Sequence, residues 1–214
     1  NPVFAQALDT LKAAGAEIVE VGDMPHIDDY GDQEYEVLLY EFKVELNAYL
    51  AGVEENLPVH SLSELIAFNL QHAKQTMPHF AQEILYQAQD KGPLSDDVYI
   101  EARKSSRRLA RAGIDTVFKQ HKLDAIVTTI AQPAWPTDHI NGDHYLGGSS
   151  SSAAVSGYPS IAVPMGNVRG LPVGMAFIGK RWQDAKIIGL AYAFEQGSKA
   201  RIIPRYLGEL PPLP

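Results

Sequence analysis

Cysteine is absent from the 214 residues, which excludes disulfide frameworks, thiolate metal sites and cysteine nucleophiles and leaves the redox compartment unmarked. Long apolar runs are missing too. None approaches the ~20 residues that span a bilayer, so no membrane partner is expected. Positive charge is scarce: Lys and Arg total 18 against 26 for Asp and Glu, a formal charge of -8. That balance opposes general binding to nucleic acid or anionic membranes. The opening residues lack the basic-then-apolar order of a signal peptide, and the default expectation is a cytoplasmic location.

What is present suits a soluble α/β protein, with 45% hydrophobic residues to fill a core. Val3, Phe4, Ala7, Leu8 and Leu11 follow helical spacing over residues 2–14, Gly15 supplies a stop, and EIVEV at 17–21 is a predicted strand. A long helix is predicted over 33–50, with Tyr35, Leu38, Phe42, Leu46 and Tyr49 on one face. Ser61 and Glu64 form a capping box for a helix reaching about residue 72. Further helices are predicted over 80–89 and 95–120, the second with acids in its first turn and Lys119 and Lys122 near its end. Short β-branched or apolar runs at 124–129, 160–164 and 172–179 read as buried strands, and 184–196 as a helix. The tail from residue 200 is too rich in proline for regular structure. No repeat or interdomain linker is visible.

The run LGGSSSSAAVSGYPSIAVPMG at 146–166 invites a search for a nucleophile. A serine hydroxyl needs a neighbouring base and waiting oxyanion donors, and glycine pairs with serines name neither. The G-x-S-x-G elbow is absent, and no lysine follows these serines before Lys180, which excludes a P-loop. The plainer expectation is a helix capped by Ser149 and pressed against a sheet through Ala153, Ala154, Ser156 and Gly157.

With its flanks the loop is more specific. Gly157-Tyr158-Pro159, then Val163-Pro164-Met165-Gly166, then Gly170-Leu171-Pro172-Val173-Gly174 match in order and spacing the carboxy-terminal section of amidase signature enzymes. LLYEFKVELNAYLAG, HSLSELIAFNLQHA and LDAIVTTIAQPAW look like the peptide-amidase-like branch, so the resemblance covers nearly the whole chain. It implies an α/β/α sandwich with a central mixed β-sheet, of which residues 1–214 form the carboxy-terminal part.

The same resemblance implies hydrolysis of carboxamide, including peptide-amide, C–N bonds by a serine nucleophile, a bridging serine on a cis peptide bond and a lysine base. That triad and its G-G-S-S-G-G signature normally precede the point where this chain begins. Gly147-Gly148-Ser149-Ser150 continues as Ser-Ser-Ala-Ala instead, and Lys74 falls in a predicted helix rather than in the family's lysine-ending strand. No catalytic residue is therefore expected here, and the 214 residues by themselves are expected to be inactive. Substrate contacts are expected from Gln82, Glu83, Trp135, Asp138, Asn141 and Tyr145, at element ends where ligands commonly sit. Ordinary capping and interface packing is the alternative at all six.

Other classes compete. The glutamyl-tRNA amidotransferase subunit is a more distant resemblance; its arginine and aspartate for glutamine fall near Tyr86 or Gln87 and at Gly147 here. Arg103, Arg107 and Arg111 share a helix face as a nucleic-acid site would, but without interleaved aromatics they read as a solvated or salt-bridged stripe. Asp138, His139, Asp143 and His144 match no metal-ligand spacing, and neither metal nor cofactor is expected. A stand-alone binding module is the third reading; it should be monomeric, whereas a piece of an amidase should expose apolar surface and self-associate, as a homodimer for example. The expected partners are an amide substrate and the amino-terminal portion of the same polypeptide.

Overall fold

Strand period explains the centre of the molecule. Along LPVGMAFI, Val173, Met175 and Phe177 face one side and Ile178 the other, each nearly inaccessible. The computed structural model describes residues 2–204 and 206; Asn1, Arg205 and 207–214 lie outside the described residues. The order is α1 (Pro2–Ala13), α2 (Gly31–Ala51), α3 (Leu62–Gln71), α4 (Ala73–Thr76), α5 (Glu83–Gln89), α6 (Asp97–His121), β1 (Ile126–Thr129), α7 (Ser150–Ser156), β2 (Ser160–Val168), β3 (Leu171–Ile178) and α8 (Asp184–Ser198). Residues 200–204, at the start of the tail, carry no regular element.

The sheet has the order β1-β3-β2. Both pairings are antiparallel, so of the expected mixed sheet only antiparallel ladders fall among the described residues. On one face Val163, Met165, Val173, Met175 and Phe177 meet Ala7 of α1 and Ile187, Ala191 and Phe194 of α8. On the other, Ile126 and Ile178 meet Ile114, Val117 and Phe118 of α6 together with Ala153 and Tyr158. Helices thus cover both faces, the α/β/α layering expected. Burial of each large apolar side chain contributes about 1.5–3 kcal/mol. A third cluster joins Leu39 of α2 to Leu62 and Ile66 of α3 and Ala88 of α5.

The glycine-proline motifs have local causes. Gly157 ends α7 at φ 71°, a left-handed position suited to glycine. The ladder shifts register between Pro164 and Gly166, making Met165 the extra residue of a bulge on an edge strand where proline is tolerated. Val168 pairs with Leu171, and the two residues between them, Arg169 and Gly170, have φ 51° and 86°, the signature of a type I′ hairpin.

Two expectations need correction. EIVEV forms no ladder with any described strand; Val21 packs on the α6–β1 cluster instead. Helix α5 begins at Glu83 rather than Phe80, because Gln82 has φ -128° and ψ 42° while its side chain turns inward. The apolar stripe of α2 is largely exposed: Leu38 by 56%, Tyr49 by 70%, and Tyr35 and Phe42 in part, whereas Leu39 and Tyr40 are buried. What α2 turns inward is mostly polar. Lys43 donates to the carbonyls of Gln89 and Lys91, Lys91 pairs with Glu36 at 2.7 Å, Tyr40 donates to Asp96 at 3.1 Å and Tyr99 to Glu41 at 2.7 Å. Asp96, at the N-cap of α6, accepts the Tyr40 bond and makes no capping hydrogen bond.

Candidate functional site

The chain leaves β1 into a long loop that returns to start α7. Its neck is closed: Ile130 N–H donates to Gly174 at 3.0 Å, Ser149 N–H to Ile130 at 3.0 Å, and Ala131 bridges Gly148. A Cβ at Gly148 would stand 3.0 Å from the Ile130 carbonyl and 3.3 Å from the Tyr145 hydroxyl, so this neck is built around glycine. Within the loop Trp135 Nε1 donates to Asp143 at 3.1 Å, its ring lies 6.2 Å from that of Tyr145, and Gln132 Nε2 donates to the His144 carbonyl.

Asp138 accepts from the N–H groups of Ile140 and Asn141 and from Asn141 Nδ2, all at 2.9 Å. Those bonds, the Asn141 N–H foremost, hold its carboxyl below the usual carboxylate range. Asp138 and Asn141 therefore shape the turn. Asp143 is engaged by Trp135, and the His139 ring lies flat on that of His79.

Across from this loop, residues 77–82 lead into α5. Gln82 is 6% exposed; its Nε2 donates to the Ile66 carbonyl and the Tyr86 hydroxyl, and its Oε1 accepts from Asn69. It pins α5 to α3. Glu83 beside it is exposed and has no ion-pair or hydrogen-bond partner among the described residues. The two groups of expected contacts, Gln82 with Glu83 and Trp135 to Tyr145, are joined by residues that sequence reasoning did not place in the cleft. His79 and His139 stack at 3.8 Å with planes 10° apart, and Phe80 lies 5.9 Å from His139. No periodicity links positions 79 and 139.

The serine run has a different character. Ser149 occupies the N-cap position of α7, but its ψ of 12° is not the extended cap conformation and its side chain makes no cap bond, contrary to expectation. Its Oγ is buried without a partner among the described residues, as is Gln132 Oε1. Ser152 is buried, and Ser156 donates to the Ala153 carbonyl. Among the described residues no lysine, histidine or carboxylate hydrogen-bonds a hydroxyl of Ser149 to Ser152, so none is activated as a nucleophile. Lys74 lies in the short helix α4. Of the arginine stripe, Arg111 donates to the Ser156 carbonyl at 2.8 Å and lies over the Tyr158 ring, while Arg103 and Arg107 line a groove with Glu34 and Glu41.

Comparison with known proteins gives one direction. The family model described as Amidase matches residues 1–188. A probable amidase of Arabidopsis thaliana is 33% identical over 94% of this chain and 37% of its own length. The native peptide amidase of Stenotrophomonas maltophilia, a solved structure, is 43% identical with a TM-score of 0.84 over 96% of this chain and 41% of its own. A glutamyl-tRNA(Gln) amidotransferase subunit of Clostridium botulinum is 28% identical over 90% of this chain and 40% of its own length. The chain thus spans about two fifths of the length of these relatives.

Proposed function

The chain belongs to the amidase family, and from that premise we propose that it is the carboxy-terminal part of an amidase acting on carboxamides, peptide amides included. In this reading residues 1–214 supply one wall of the substrate cleft and part of the sheet, and the Ser-cisSer-Lys triad stands in upstream polypeptide. The observation that carries it is the family match through residue 188 by a chain two fifths as long as its relatives, beside a serine run that has no base.

The chemistry divides accordingly. A serine oxygen attacks the amide carbonyl, the base takes its proton and passes it to the departing amine or ammonia, and water then releases the acid. The present residues bind and orient the substrate. Glu83 and Tyr145 present exposed side chains, while Asp138, Asn141, Trp135 and Gln82 hold the loop and turn that carry them. A glutamine-donor role fits less well: Gly147 offers no carboxylate, and the Tyr86 hydroxyl accepts from Gln82.

The test uses the polypeptide with its upstream portion. It should hydrolyse a peptide amide and react with a probe for activated hydroxyls, whereas residues 1–214 by themselves should do neither. Ser149→Ala should keep both activities and melt no lower, since it deletes an oxygen that has no partner. Loss of turnover in that variant would falsify the assignment.

A further inference from the structure

Between α3, the 76–82 turn and α5 lies a cavity of about 640 Å³, within the range that holds small ligands. Its apolar wall is Met77, Phe80, Ile84 and Leu85. Phe80 is 70% exposed and Ile84 58%, large side chains left in water beside an open cavity. Its polar side chains are mostly occupied. Asn69 Nδ2 donates to Gln82 Oε1, Gln82 Nε2 donates to the Ile66 carbonyl and the Tyr86 hydroxyl, and Thr76 donates to the carbonyls of Asn69 and His72. His79 is stacked on His139. Glu83 is the carboxylate of this lining, and it has no partner among the described residues.

A lining that is mainly apolar, and whose Gln82 amide and Thr76 hydroxyl are already bonded internally, selects an apolar group, since a polar one would lose water for little return in bonds. An unpaired carboxylate at the mouth adds attraction for a cation. His79 of this lining stacks on His139, which belongs to the same loop as Asp138, Asn141 and Tyr145. We infer that this cavity is a specificity subsite for a peptide amide, taking an apolar residue of the peptide while Glu83 favours a substrate that carries a positive charge beside it. The inference rests on the amide-hydrolysing reading and adds which amides are preferred.

The experiment measures kcat/KM of the polypeptide with its upstream portion on a series of peptide amides. Leucine is exchanged for glycine, and lysine for norleucine, one position at a time, and a small carboxamide too short to reach the cavity serves as reference. At one position leucine should exceed glycine about tenfold, and at a neighbouring one lysine should exceed norleucine about threefold, with the charge effect vanishing at high salt. Phe80→Ala combined with Ile84→Ala should bring the leucine-to-glycine ratio towards one. Glu83→Gln should abolish the lysine preference and Glu83→Lys should reverse it, each variant first checked for wild-type thermal unfolding. Ratios unchanged in these variants, with the small carboxamide still turned over, would overturn the subsite alone. No turnover of any amide by the parent polypeptide would instead sink the amidase reading on which it stands.

Discussion

Tyr30 is 2% exposed and its hydroxyl has no hydrogen-bond partner among the described residues. Burial, helped by Glu34 and Asp28, raises its pKa from 10.0 to about 12. A group whose folded pKa lies above its unfolded value contributes stability that is complete below pH 10 and lost as pH rises towards 12. Chemical denaturation across that window should show the loss, and Tyr30→Phe should flatten it while keeping or raising stability at pH 7 by about 1 kcal/mol. Gly113 poses the opposite problem. Alanine in a helix interior gains about 1 kcal/mol over glycine, yet a Cβ here would stand 2.3 Å from the Pro25 carbonyl oxygen, a backbone atom with little freedom to move. Overpacking of that kind costs about 1–3 kcal/mol, so Gly113→Ala should lower the melting temperature despite the propensity gain. Side-chain chemistry at this scale was legible in sequence, but the partners were not. Gln82 and Glu83 are neighbours of similar shape, and only the position of α3 decides that one amide turns inward while the carboxylate stays in water.

At the scale of elements, motifs that act within a few residues were readable and those that need a distant partner were not. The capping box is half formed: Glu64 N–H donates to Ser61 Oγ at 3.2 Å, while the Glu64 carboxylate accepts from the His60 N–H at 2.6 Å, one residue before the cap, in place of the Ser61 N–H. The three glycine-proline motifs likewise fall on a helix end, a bulge and a hairpin, each fixed by local backbone geometry. By contrast EIVEV needs a neighbouring strand, and strand propensity does not supply one. Helix α2 is the sharpest case. Periodicity located its apolar stripe correctly, but its opposite face meets α6 and residues 89–96 through Lys43, Glu36, Tyr40 and Glu41. That arrangement makes Lys43 a structural cation, because its ammonium satisfies the carbonyl of the last residue of α5 and that of Lys91 just beyond it. Lys43→Met keeps the stem and leaves both carbonyls short of a donor, and should destabilise by about 2 kcal/mol in a urea titration. A change below about 0.5 kcal/mol would mean that water replaces the ammonium there.

For the whole molecule the question is what covers the surfaces that folding leaves open. β1 pairs with β3 on one side and with no described strand on the other, so Ile126–Thr129 presents a free edge. Leu38, Phe42 and Tyr49 on α2 form an exposed apolar stripe, and Ile140 and Leu146 stand out from the loop between β1 and α7. Free strand edges and contiguous apolar patches favour association. The proposed assignment of the triad to upstream polypeptide supplies a cover for them. Expressed by itself, the 214-residue chain should therefore self-associate and bind a hydrophobic dye, and light scattering after gel filtration should show dimers or larger species whose share grows with concentration. Restoring the upstream polypeptide should suppress the dye signal. Replacing Leu38 and Tyr49 together by polar residues should suppress self-association of the isolated chain without a large loss of stability, since each is more than half exposed within it. A chain that stays monomeric and dye-free at high concentration would point to a self-sufficient module.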